Sequence, residues 1–88
     1  MKAKKNLKEH GIAFDRAATV FLDASALSIY DEEHSENEDR WITLGIDRIG
    51  TLLVVCHTYR KESESSALIR LISAFKATKK EIKQYGRR

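Results

Sequence analysis

The sequence predicts a small α+β fold, in which two N-terminal helices and one C-terminal helix pack on an antiparallel sheet of about four strands. Three observations support this fold class. Residues 12–22 repeat apolar side chains at helical spacing, whereas Leu52 to Cys56 form an unbroken apolar run that is typical of a central strand. Short polar turns separate the later apolar segments, so consecutive strands are expected to be antiparallel.

Two N-terminal helices are predicted, the first from the glycine that would end it and the second from apolar side chains at helical spacing. Residues 2–10 form the first, and Gly11 ends it because glycine tolerates the left-handed backbone of a helix C-terminus. The second helix is expected to run to about Asp23. Its apolar stripe consists of Ile12, Phe14, Ala17, Ala18, Phe21 and Leu22. We expect this stripe to cover the sheet.

Four strands and a last helix follow. The strands are predicted at Leu27 to Tyr30, from about Arg40 to Ile46, at Thr51 to Arg60 and at Ala67 to Ala74. Asp47-Arg48-Ile49-Gly50 supplies the hairpin turn before the third strand, which is expected to be central. Thr78 and Glu81 form a capping-box signature, so the last helix is expected to start there and to run to about Tyr85.

Composition favours one cytoplasmic domain spanning residues 1–88. A chain of 88 residues can build one hydrophobic core. The single cysteine, Cys56, lies in an apolar run, which excludes a disulfide framework and indicates a reducing compartment. No apolar run approaches the roughly 20 residues that cross a bilayer, and the polar start at Met1 is unlike a signal peptide. We therefore expect no membrane association.

Charge is segregated along the chain. The net charge is +3, but residues 31–40 are strongly acidic and residues 76–88 strongly basic. A basic tail favours a polyanionic partner through counterion release. A solvated helix face has the same composition. Charge alone does not decide between RNA binding and a solvated surface.

Several motifs, in order along nearly the whole chain, resemble the BrnT toxins of bacterial type II toxin–antitoxin systems. These motifs are Asn6-Leu7-Lys8-Glu9-His10-Gly11-Ile12-Ala13-Phe14, residues 17–21, Asp31 to Arg40 with His34, Glu38 and Arg40, Val55-Cys56-His57-Thr58-Tyr59-Arg60, and Ile69-Arg70-Leu71-Ile72-Ser73-Ala74. The resemblance implies a RelE-like fold and a ribonuclease that inhibits translation. It also implies a BrnA-like antitoxin, in a hetero-oligomer that can contain two copies of each protein and that reaches operator DNA only through the antitoxin.

Departures from the family's usual pattern leave a second interpretation open. Tyr59 stands where the family usually has Glu, and Phe75 stands where it usually has Arg, with Lys76 next to it. The chain also begins after the family's usual first strand, so one sheet edge is expected to lack a neighbour. The alternative is therefore a weakened or inactive homologue that acts mainly as an antitoxin-binding module in operon autoregulation.

Metal-free RNA cleavage needs a base for the 2′-hydroxyl, cations around the phosphate and an acid for the leaving oxygen. We predict Arg60, Arg70, His57 and Glu38 as the catalytic residues. The arginines would bind the phosphate, His57 would act as base or acid, and Glu38 would act as the base. Structural interpretations stay open for all of them: salt bridges of the arginines to the acidic segment, a hydrogen-bonded strand histidine, and a Glu38–Arg40 pair.

Further residues are predicted to contact RNA rather than to react. They are Lys76, Tyr59, Arg40, Lys5, Lys79 and Lys80. Tyr59 shares a strand face with His57 and can stack a base or donate a proton. No metal or other cofactor is predicted, because His10, His34 and His57 lie far apart in a chain with one cysteine.

Overall fold

A computed structural model of the chain describes residues 7–86, which form three helices, a four-stranded antiparallel sheet and a small two-stranded ribbon. Helix α1 includes residues 7–10, α2 spans Phe14–Ala18 and α3 spans Lys79–Gly86. The strands are β1 (Leu27–Tyr30), β2 (Arg40–Ile46), β3 (Leu52–Thr58), β4 (Arg60–Lys61), β5 (Ala67–Leu68) and β6 (Leu71–Lys76). Short 3-10 helices occupy Thr19–Leu22 and Glu32–His34. The predicted α+β class is confirmed.

The sheet order is β1-β2-β3-β6, and every neighbouring pair is antiparallel. The third predicted strand is therefore central, as expected. One face of the sheet carries the core, where β3 and β6 meet α2 and the 3-10 helix that follows it. The fully buried members of this core are Ile12, Ala17, Val20, Leu53, Val55 and Ala74, with Phe21 and Leu71 packed against them.

The predicted second helix is shorter than expected. Helix α2 ends at Ala18, and a 3-10 helix continues to Leu22. Thr19 provides the physical reason, because its hydroxyl donates to the Arg16 carbonyl at 2.6 Å and accepts the Arg48 N–H at 2.9 Å. The chain thus tightens where it meets the β2–β3 turn. Gly11 ends α1 with a φ of 70°, as predicted, while residues 2–6 of the predicted first helix lie outside the described residues.

The predicted third and fourth strands are each interrupted. The third stops at Thr58 and resumes as β4, and the fourth is divided at Ile69 and Arg70 into β5 and β6. A bulge shifts the β3–β6 register between Cys56 and His57. An extra residue in one strand bends it and increases its twist. The hairpin tip therefore separates from the sheet as the β4–β5 ribbon.

The predicted turn between β2 and β3 forms, and the Asp47 side chain stabilises it through hydrogen bonds. Its carboxylate accepts the backbone N–H groups of Ile49 and Thr51 and the Nε–H of Arg16. Burial alone would raise the pKa of Asp47, but these hydrogen bonds and the Arg16 charge bring it below its ordinary value. Gly50 closes the turn with a φ of 90°. The turn thereby ties α2 to the sheet.

Helix α3 begins after Thr78, as predicted, and the Glu81 side chain caps its start. Glu81 Oε1 accepts the Thr78 backbone N–H at 2.8 Å and the Thr78 hydroxyl at 2.6 Å. These hydrogen bonds, the hydroxyl first, lower the pKa of Glu81. Within residues 7–86, no helix has the length and apolar character needed to cross a membrane.

Candidate functional site

A cleft of about 530 Å³ opens at the end of β3, between the segment before β2 and the β4–β5 ribbon. Its lining residues are Asn37, Glu38, Asp39, Thr58, Tyr59, Arg60, Leu68 and Arg70. Four residues that the sequence predicted for the site, Glu38, Tyr59, Arg60 and Arg70, therefore meet in one place. They come from three separate segments, which the hairpin and the preceding loop bring together.

The cleft opens because the hydrogen bonding between β3 and the Arg70 segment departs from a regular ladder. In an antiparallel ladder, the N–H and C=O of Thr58 would both bond to Arg70. The Thr58 N–H does donate to the Arg70 carbonyl at 2.9 Å, but the Arg70 N–H bonds to the Thr58 hydroxyl at 3.3 Å. The Thr58 carbonyl instead accepts Nδ1–H of His57 at 2.9 Å. The chain can therefore turn away from the sheet here.

The two arginines have different partners. Arg70 Nη2 donates to Glu38 Oε1, whereas Arg60 Nη2 donates to Glu62 Oε1 at 3.2 Å. Glu38 thus pairs with Arg70 rather than with Arg40. The Arg70 and Glu38 side chains are 54% and 41% exposed, and ion pairs at such exposure contribute little to stability. Loss of this ion pair would therefore cost little stability.

His57 lies beneath the cleft rather than in its lining. It is 3% exposed, and Phe21 packs edge-on against its ring at a centroid distance of 4.9 Å. Since a carbonyl only accepts, Nδ1 carries the proton that is donated to Thr58, and Nε2 accepts the Thr43 hydroxyl at 2.7 Å. Burial lowers the pKa of His57, and the hydrogen bond to Thr58 opposes this lowering without cancelling it. The imidazole is therefore neutral, with both nitrogens occupied.

Lys76, Lys79 and Lys80, three of the residues predicted to contact RNA, do not line the cleft. Lys76 pairs with Leu53, five positions along β3 from Thr58, which corresponds to about 17 Å at strand rise. Lys79 and Lys80 follow in α3. Lys5 lies outside the described residues. The structure therefore does not bring Lys76, Lys79 or Lys80 into the lining of the cleft.

Arg40 lies in a neighbouring cleft of about 320 Å³ with acidic walls. Glu33, Glu36 and Glu38 line it together with His34. Arg40 Nε is buried and has no hydrogen-bond partner among residues 7–86. The structure thus places Arg40 beside the main cleft, with Glu38 shared between the two.

Sequence reasoning missed four of the residues that line the cleft, which are Asn37, Asp39, Thr58 and Leu68. Asp39 accepts the Tyr30 hydroxyl at 3.0 Å through its side chain and the Tyr59 N–H at 3.4 Å through its carbonyl. Its place in the acidic segment gave a signal, because it immediately follows Glu38. The sequence around Thr58 gave no such signal, because its hydrogen bonds to Arg70 depend on the bulge.

Comparison with known proteins gives one family. Residues 1–81 match the model of the family described as "Ribonuclease toxin, BrnT, of type II toxin-antitoxin system". No curated protein sequence matches the chain.

Proposed function

Because the chain belongs to the BrnT family of ribonuclease toxins of type II toxin–antitoxin systems, we propose that it cleaves RNA without a metal ion in the cleft at the end of β3. We further propose that this cleavage inhibits translation and that a BrnA-like antitoxin neutralises it. One observation carries the proposal: Arg60 and Arg70 reach the same cleft as the carboxylate of Glu38. Cations and a base are two of the three kinds of group that the reaction needs, and the third is an acid for the leaving oxygen.

The proposed reaction is an attack of the 2′-oxygen on the adjacent phosphorus. Glu38 takes the proton of the 2′-hydroxyl, the bond between O2′ and phosphorus forms, and the bond between phosphorus and O5′ breaks. Arg60 and Arg70 stabilise the charge that builds on the phosphate oxygens. Tyr59, which lines the same cleft and is 44% exposed, gives its phenolic proton to the leaving O5′. Water then restores the proton of Tyr59 and removes the proton held by Glu38.

The position of Phe75 favours an active ribonuclease over the weakened homologue. Phe75 pairs with Val54, four positions from Thr58 along β3, and its ring lies 5.7 Å from the ring of His10. The position that the family usually fills with Arg is thus remote from the cleft. Its replacement leaves Arg60 and Arg70 in place.

We propose that the antitoxin covers an apolar and cationic surface that includes β3 or β6. Such a partner would block the cleft and exclude RNA. The hetero-oligomer would then bind operator DNA through the antitoxin. A structure of the complex in which this surface stays exposed to solvent would contradict the proposed interface.

The test is induced expression in bacteria together with cleavage of RNA by the purified protein. We expect wild type to arrest growth and cleave RNA, in the presence of a chelator as well. Arg60→Ala and Arg70→Ala should each reduce cleavage by about 100-fold or more and relieve the arrest, since each removes a charge from the transition state. The matched control is Arg48→Ala, because Arg48 is an exposed arginine at the opposite end of β3.

Three outcomes would count against the proposal. Absence of cleavage by wild type would refute a ribonuclease cleft. Full activity of both arginine variants would place the chemistry elsewhere, and loss of activity on chelation would refute metal independence.

A further inference from the structure

A second, smaller cleft of about 240 Å³ adjoins the first and is lined by Ser28, Trp41, His57 and Tyr59. Tyr59 lines both clefts, so the two are neighbours at this residue. The volume is below the range that is typical of drug-sized ligands, and it suits a single ring system. Aromatic side chains beside a phosphate-binding site are the usual means by which proteins hold unpaired bases of single-stranded RNA.

The ring of Trp41 is fixed in place before any ligand arrives. Tyr30 packs edge-on against it, with ring centroids 5.2 Å apart and an interplanar angle of 74°. The Tyr30 hydroxyl in turn donates to Asp39, which lines the first cleft. A fixed aromatic surface loses little conformational entropy when a ligand stacks on it.

The polar group of this second cleft is a hydrogen-bond acceptor. Because Nδ1 of His57 donates to the Thr58 carbonyl, Nε2 must accept, and the Thr43 hydroxyl must donate to it at 2.7 Å. Thr43 has then used its one proton, so the Ser28 hydroxyl donates to Thr43 at 2.8 Å. Ser28 Oγ is left with lone pairs only. Its remaining capacity is therefore to accept an N–H.

We propose that the second cleft binds the nucleobase next to the scissile phosphate, stacked on Trp41 and donating an N–H to Ser28 Oγ. This inference rests on the proposed function, because the phosphate in the first cleft places the base. Adenine, cytosine and guanine each carry an exocyclic amino group whose N–H donors project from the edge of the ring, whereas the N3–H of uracil lies in the ring between two carbonyl groups. A base with an amino group is therefore favoured over uracil.

Trp41 itself reports on binding, because it is the single tryptophan of the chain. We expect adenosine and cytidine monophosphates to change its fluorescence at lower concentrations than uridine monophosphate does. Ser28→Ala should remove that preference and leave stacking intact. Leu22→Ala is the matched control, since Leu22 is 84% exposed and lies outside both clefts, and it should behave as wild type. Equal responses to all nucleotides in wild type would overturn the role of Ser28.

Cleavage kinetics test the stacking. Trp41→Leu should lower kcat/KM on single-stranded RNA by about 5- to 100-fold, whereas Trp41→Phe, which retains an aromatic ring, should lose much less. Thermal unfolding of both variants checks that they are folded.

Normal kcat/KM in a folded Trp41→Leu variant would overturn the base site while leaving the ribonuclease proposal standing. Nucleotide binding by a wild type that cleaves no RNA would support the base site and refute the ribonuclease. A fluorescence response to the antitoxin but to no nucleotide would overturn the base site.

Discussion

Hydrogen bonds at both ring nitrogens of His57 hold the end of β3 in place. The Thr43 hydroxyl donates to one, and the other donates to the carbonyl of Thr58, whose hydroxyl and N–H bond to the Arg70 backbone. The imidazole thereby fixes the local path of the chain that leads into the cleft. We propose that His57 positions the reacting groups rather than exchanging protons with RNA.

The buried imidazole predicts a pH dependence of stability. Burial keeps the pKa of folded His57 below the ordinary 6.5, so the unfolded chain binds the extra proton first as pH falls. The contribution of His57 to the free energy of unfolding is therefore complete above pH 6.5. It is lost as the pH falls from 6.5 towards the lowered pKa of the folded state. Denaturant unfolding of wild type and His57→Gln between about pH 8 and about pH 5 measures it. The difference between the free energies of unfolding of wild type and His57→Gln should shrink below pH 6.5, by up to about 1.4 kcal/mol per pH unit.

The two proteins differ only at residue 57, so a difference between the two curves is due to His57. Parallel curves across the whole range would contradict a neutral buried His57. His57→Gln should also lower cleavage without altering the pH profile of kcat. A histidine that served as acid or base would change that profile when it was replaced.

At the scale of elements, the 3-10 helix Thr19–Leu22 crosses β2 at Gly45. A Cβ atom added to Gly45 would lie 2.5 Å from Val20 Cγ1 and 3.2 Å from the Val20 carbonyl oxygen. Val20 is fully buried and its branched side chain has little rotational freedom, so the contact cannot relax locally. The close approach of these two elements depends on glycine.

Gly45→Ala should therefore destabilise the protein by about 1–3 kcal/mol, the cost of overfilling a packed core. Denaturant titration followed by circular dichroism measures the change. Gly86→Ala is the matched control, because nothing lies within 4 Å of its added Cβ and its φ is not positive. A Gly45→Ala variant as stable as the control would show that helix and strand can separate without loss.

Elements with local signals could be predicted from the sequence, and those set by distant contacts could not. The Asp47 turn and the Thr78–Glu81 cap depend on residues within four positions of one another, and both formed as expected. The bulge at His57 depends on pairing with a distant strand, so alternation of side chains predicted continuous strands instead. A salt bridge of the arginines to the acidic segment was one of the interpretations from the sequence, and Arg70 forms one, but the sequence could not identify Glu38 as its partner within that segment.

At the scale of the whole molecule, the cleft and Lys76 lie towards opposite ends of β3. Arg60 and Arg70 share the cleft end with Glu38 and Asp39, whereas Lys76 lies near the other end. Antiparallel return of β6 produces this separation, because a strand that begins at the cleft must end away from it. RNA held at both ends must therefore be long enough to span about 17 Å or more.

This geometry predicts that the lysines act on long RNA alone. The double variant Lys79→Ala with Lys80→Ala should bind a long single strand more weakly, with a salt dependence of log affinity shallower by about 1.4, since each lost phosphate contact contributes about 0.7. Binding and cleavage of a trinucleotide should stay unchanged, because it cannot extend from the cleft to α3. Affinities measured for both RNAs over a range of salt concentrations provide the comparison. Equal losses of affinity for both RNAs would place the lysines at the cleft, contrary to the structure. An unchanged affinity for long RNA would show that Lys79 and Lys80 face solvent and do not bind RNA.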